Sequence, residues 1–322
     1  MSSSIYQQIV DQLAQGVITE MFYIDPNVSG EGEMKWAPGA YDGIMIYHYG
    51  IEGPDGDNGE DCEDLLWDAL EAASKRKFKV ADVLFAELTS KYRAVGLIDT
   101  LQTFVIENSE DLDIDNIFDA AVYMIRNSEE TECVKVGLEL LEIFEVIEED
   151  IREIIRTVAL YEEFTLFSIF NMIGWEDGND ELFKLARKVH GWGRIHAVER
   201  LQPETDEIRL WLLTEGTVNN ISNSYSALVC WTKSDAEKVL FGIPSEEEFK
   251  GIGTLLLSLI DESPVPGISE MEQPEKIIRR YLDIAQDYTI DKEVIKMIKF
   301  WAGRDQSSFP SIIKECNELM TR

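Results

Sequence analysis

The chain has 322 residues, 45% of them hydrophobic, and carries 62 acidic against 29 basic side chains, for a formal net charge of −33. That excess disfavours direct contact with phosphate backbones and with anionic membrane surfaces. No run of roughly 18 apolar residues offers a membrane span. The first residues, MSSSIYQQIVDQLAQG, lack the basic and apolar blocks of a signal peptide, so a cytoplasmic protein is expected.

In chain order, a helix is predicted over about 4–20, followed by a Gly-, Pro- and Asp-rich segment up to residue 61. Within it, KWAPGAYDGIMIYHY fits two structures. One is a hairpin about Pro38-Gly39 as a type II turn; the other, slightly preferred, is a helix from Pro38 with Gly43 as a small packing position. Beyond residue 62 nearly everything reads as short helices. The predicted spans are 62–75, 78–89, 91–107, 115–126, 129–146, 148–160, 162–173, 180–189, 193–201, 205–214, 222–233, 235–241, 246–261, 274–288, 291–303 and 310–320. Apolar stripes at helical spacing carry them, for example Ile151, Ile154, Ile155 and Val158, or Ile277, Ile278, Tyr281, Leu282 and Ala285. Ser234 with Glu237 and Ser245 with Glu248 have capping-box spacing, Asp115 and Asp291 suit N-caps, and Pro310 suits a first turn.

Chemistry is sparse. The cysteines Cys62, Cys133, Cys230 and Cys316 form no CxxC pair, which predicts buried free thiols and no zinc site. His190 and His196 sit six apart across Gly191 and Gly193, too far for a shared metal, and His196 reads as a surface residue. DGDNGED, residues 55–61, fails the EF-hand pattern because positions 5, 6 and 12 from Asp55 are Gly59, Glu60 and Leu66. No phosphate-binding loop and no nucleophile elbow is present, so no catalytic residue, metal or cofactor is assigned. The acid is uneven: residues 51–73 hold nine acids and no base, whereas 275–322 hold eight acids and nine bases.

Small residues punctuate the helices. Ala197 lies between Arg194 and Leu201 on one arc, and similar positions recur at Gly96, Gly137, Ser168, Ala227 and Gly253, some 26 to 41 residues apart. A glycine inside a helix costs about 1 kcal/mol relative to alanine, so its repetition predicts close backbone approach once per stacked unit. Arg194-x-x-Ala197-x-x-x-Leu201, preceded by Trp192, resembles the inner helix of HEAT-like repeats, relatives of the armadillo type; only Arg93, Arg194 and Lys250 match the basic position. The resemblance spans roughly 80–262, is nearest to short bacterial repeats, and implies that the arginine stem packs on the apolar face while its head pairs with a carboxylate. It implies an α-α superhelix and leaves function open.

The expected architecture is therefore an all-α solenoid of HEAT-like hairpins. A partly irregular N-terminal cap covers 1–61, the repeat array 62–264 and a C-terminal helical cap 265–322, as one continuous structural unit. The expected function is a non-catalytic protein-interaction module whose partner is another protein or peptide. The clustered aromatics Trp36, Tyr41, Tyr47 and Tyr49, with Asp55 and Asp57 beside them, are the candidate binding residues. The acid excess supports an alternative, an inhibitor, immunity-type protein or nucleic-acid mimic that neutralises a basic partner. A further alternative is a hydrolase or lyase with a site in a groove.

Overall fold

A computed structural model describes residues 3–16, 36–51, 53–54, 57–304 and 309–321, with the backbone alone for 57–60. The protein is all-α, with no strand among the described residues. They fall into two compact units, 1–196 and 197–322.

The first unit comprises α1 (Ile5–Ala14), α2 (Ala40–Ile44), α3 (Asp57–Ser74), α4 (Phe78–Lys91), α5 (Ile98–Glu107), α6 (Ile114–Asn127), α7 (Thr131–Glu142), α8 (Glu149–Ala159), α9 (Glu162–Ile173), α10 (Gly178–Ala186) and the start of α11 (Gly191–Arg200). The α8 stripe is buried as its spacing demands, and burying each such isoleucine contributes about 2 kcal/mol. Helix α7 is buried on every side, from Cys133 to Leu141, because α4, α6 and α9 all pack on it. Two charged residues, Lys135 and Glu139, are enclosed with it.

The second unit comprises the rest of α11, then α12 (Asp206–Trp211), α13 (Ser224–Lys233), α14 (Ala236–Phe241), α15 (Glu246–Asp261), α16 (Pro274–Ala285), α17 (Lys292–Arg304) and α18 (Pro310–Met320). Its spine is α15, opened by the expected Ser245–Glu248 capping box and packed against α13 and α17. No described helix is long and apolar enough to cross a membrane.

Several local expectations need correction. The predicted helix over 91–107 is broken: α4 ends at Lys91, a 3₁₀ turn covers Ala94–Gly96, and α5 begins at Ile98. Gly96 thus lies in a turn, not in a helix interior. Ser234 is no N-cap; it closes α13, and Asp235, at φ 54°, precedes α14 without a capping bond. Asp113, rather than Asp115, caps α6 by accepting the Asn116 N–H. His196 is buried, because α11 is enclosed around its whole first two turns.

The small residues divide. A Cβ on Gly137 would stand 2.9 Å from the Ala121 carbonyl oxygen of α6, so two helix backbones do meet there. Ser168, Arg194, Ala197 and Ala227 are buried within their helices, and Leu201 is buried just past the end of α11. Gly253 instead faces the Tyr281 hydroxyl, 2.8 Å from its Cβ position, and the backbone approach in α15 occurs at Gly251, against the Leu213 carbonyl.

Candidate functional site

The aromatic segment is fixed first by its turn. The Ala40 N–H donates to the Ala37 carbonyl at 2.9 Å, and Gly39 sits at φ 68°, ψ −4°, the geometry of a type II turn with Pro38 and Gly39 at its centre. The turn leads into α2 and not into a hairpin. A single π turn, Met45–Tyr49, continues the helix, closed by the Gly50 N–H donating to the Met45 carbonyl. Tyr41, Met45 and Tyr49, four residues apart, share one face. Asp42, Gly43 and Tyr47 lie on others.

Gly39 and Gly43 allow this segment to lie flat on the body of the first unit. A Cβ on Gly39 would stand 2.8 Å from the Glu162 carbonyl oxygen, and one on Gly43 would stand 2.2 Å from the Trp192 ring. Tyr47 packs beside Trp192 and stacks on His196, with centroids 6.0 and 6.1 Å apart. The Gly39 N–H donates to Glu163 at 2.6 Å.

Beneath α2 lies an ion cluster. The Lys135 ammonium, fully buried, contacts Asp42 at 2.7 Å, Glu132 at 2.9 Å and Glu163 at 2.6 Å, and lies 5.4 Å from the centre of the Phe167 ring. It therefore ties α2 to both α7 and α9. Burial works against its charge, but the three carboxylates outweigh burial and hold its pKa well above the ordinary lysine value. Burial pushes the Asp42 carboxyl up to about 6 despite the Lys135 charge. Burial also opposes ionisation of Glu132, yet Lys135, the Ala94 N–H and Arg93 together bring its pKa below the usual range. Glu139, one turn along α7, has no hydrogen-bond partner for either carboxyl oxygen among the described residues. Burial, reinforced by the Glu132 charge, pushes its pKa well above the ordinary glutamate value. Glu162 is pushed up to about 7 by burial, against the Trp192 N–H that it accepts.

Above the cluster an open groove of about 530 Å³ runs between α2 with its π turn and the segment joining α4 to α5. Tyr41, Met45 and Tyr49 form one wall, Ile51 and Pro54 one end, and Lys91, Tyr92, Arg93, Val95 and Gly96 the other wall. Tyr49 is 74% exposed and Ile51 44%, so both present apolar surface along the groove. The Arg93 guanidinium lies 4.7 Å from the centre of the Tyr41 ring, and Trp36 meets that ring edge-on at 5.6 Å. Arg93 also reaches Glu132 at 3.3 Å, which links the groove wall to the ion cluster.

Of the expected binding residues, Tyr41 and Tyr49 line this groove, Trp36 supports it through Tyr41, and Tyr47 faces the protein body. Gly96, expected as a packing residue, lies in the groove wall. Asp55 lies outside the described residues, and Asp57 is the first residue of α3. Arg93, expected as the basic residue of a repeat, lies in the groove wall, and Lys91, Lys135 and Met45 escaped the sequence reading. A signal existed for two of them: Met45 completes the 41/45/49 stripe, and Lys135, with Glu139 four residues on, interrupts the apolar run CVKVGLELL. Comparison with protein families, curated proteins and solved structures found no match to this chain.

Proposed function

We propose that the protein is a non-catalytic binding module whose first unit receives a segment of another protein in the Tyr41–Arg93 groove. The observation that carries this is the groove itself: uncovered aromatic and aliphatic side chains beside two cations, on a wall held by an ion cluster. Rigid aromatic anchors gain contact area at low entropic cost. The cluster supports shape rather than chemistry, since the Lys135 ammonium is enclosed and saturated by three carboxylates. A HEAT-like stacking of hairpins belongs to the same proposal, supported within 1–196 by the packing of α6 on α7 and of α7 on α9. A cytoplasmic setting fits the four free, buried cysteines.

Selection of phage-displayed dodecapeptides against the full chain tests the proposal. A shared apolar or aromatic motif should be enriched on the parent protein and not on the Tyr41→Ala/Arg93→Ala variant. Enrichment that is the same on both moves binding away from the groove, and absence of any motif contradicts the proposal.

A second reading, neutralisation of a basic protein, is favoured by the exposed acids Glu145, Glu148, Glu149, Asp150 and Glu153 between α7 and α8 and at the start of α8. It requires binding of a Lys/Arg-rich peptide that weakens about tenfold between low and high salt. Salt-independent binding would count against it.

A further inference from the structure

Resting on the groove as the binding surface, we propose that its occupant is a peptide segment in which an apolar or aromatic side chain stands next to carboxylates. In a chain of net charge −33, the described residues lining the groove include two cations, Lys91 and Arg93, and no acid. Lys91 ends α4 as an exposed side chain and takes part in no ion pair among the described residues. Arg93 is only partly committed. Its one carboxylate contact among the described residues, through Nη1 at 3.3 Å, is to Glu132, whose Oε1 already takes the Lys135 ammonium at 2.9 Å and whose Oε2 already accepts the Ala94 N–H at 2.8 Å. A guanidinium has five donors in a planar fork, so Arg93 keeps donors for an incoming carboxylate while its face stays on Tyr41.

The overall acidity of the chain does not forbid such a ligand. At physiological ionic strength the screening length is about 8 Å, so remote acids are damped while charges in contact with the ligand act nearly in full. Tyr41, Met45 and Tyr49 supply the apolar wall for the neighbouring side chain. The charge and shape of the described lining residues together point to an acidic-aromatic or acidic-aliphatic segment.

The test uses the full chain labelled with 3-fluorotyrosine, with Tyr41 and Tyr49 resonances assigned by Tyr→Phe substitution. The probes are three blocked dodecapeptides, each with a central Trp-Leu pair flanked by four Glu, four Gln or four Lys. The Glu peptide should move both resonances, with a dissociation constant about tenfold below that of the Gln peptide, the effect of about one charge-assisted hydrogen bond. Lys91→Gln with Arg93→Gln, both at exposed positions, should erase that preference, so that the Glu and Gln peptides bind within about twofold of each other; Lys91→Gln alone should remove part of it. Equal binding of all three peptides, with both resonances shifted, would overturn the charge preference and leave the groove standing. Tighter binding of the Lys peptide would overturn it in favour of a basic partner. No shift with any peptide would remove the groove reading and this inference together.

Discussion

Replacing Lys135 by methionine keeps the length and apolar stem of the side chain and deletes its charge. Three contacts of 2.6 to 2.9 Å disappear, and Asp42, Glu132 and Glu163 are left facing one another without a cation between them. Charge-assisted hydrogen bonds contribute about 1.5–3 kcal/mol each, but the desolvation cost of the ammonium is recovered when it goes, so the three do not add. Removal of one member of a buried ion pair costs about 3–5 kcal/mol, and the Lys135→Met penalty at pH 7 is expected in that range. This is a large share of the roughly 5–15 kcal/mol that stabilises a folded domain. The orphaned carboxylates can escape only by binding protons, so the gap between variant and parent should narrow at pH 5.5. Combination with Asp42→Asn should cost less than the sum of the two single changes. Urea denaturation followed by circular dichroism, at pH 7 and 5.5, reads all three effects. A loss below about 1 kcal/mol at pH 7, or a gap that ignores pH, would refute the role given to Lys135.

Three further outcomes follow from the same geometry. Gly43→Ala places a methyl group within 2.2 Å of the buried Trp192 ring, and the overpacking should cost about 1–3 kcal/mol, read as a lower melting temperature; an unchanged melting temperature would mean that α2 does not lie on Trp192. Glu139→Leu removes a buried carboxyl group that has no hydrogen-bond partner among the described residues and should stabilise the protein by about 1–3 kcal/mol; destabilisation would show that Glu139 makes an interaction of its own. Asp42 and Glu162, raised to about 6 and about 7, favour the protonated form in the fold. Their contribution is full below the ordinary carboxylate range, near pH 4, and is lost as pH rises through 6 and 7. The melting temperature should therefore fall by several degrees between pH 5 and 8, by about 2–4 °C per kcal/mol, and the fall should shrink in Asp42→Asn/Glu162→Gln. Added salt should restore part of it by screening the acid excess. A flat profile would contradict the shifted carboxyls.

How much of this was legible in the sequence depends on what each residue touches. Helices with a one-sided stripe, such as α8 and α16, announce themselves, because a single buried face imposes a 3.6-residue period. So does Ser245 with Glu248, where both halves of the cap lie within four residues. The break at 92–97 was hidden, because its one breaker, Gly96, also fits the pattern of small packing residues inside helices, and the turn is stabilised from a distance, by Glu132 accepting the Ala94 N–H. His196 was misplaced for a similar reason: one helix gives its angle, but Tyr47, from a segment about 150 residues earlier, provides its cover. The two structures open at Pro38-Gly39 both held part of the answer, since the type II turn and the helix coexist there. The aromatic cluster was visible as composition. Its 41/45/49 stripe marks one face, but which face meets the body was not legible, because Trp192 and His196, about 150 residues later, cover Tyr47. The ion cluster joins residues 42, 132, 135 and 163, and only the 132/135 spacing is local.

Amide hydrogen exchange over residues 40–49, compared between the parent chain and Lys135→Met at pH 7, tests most directly whether the enclosed ammonium fastens the groove wall. The parent should protect these amides strongly. The variant should exchange them at least about tenfold faster, while α16 and α17 of the second unit stay unchanged. Identical protection of 40–49 in both proteins would show that the wall stands without Lys135, and the groove would then lack the support assigned to it here.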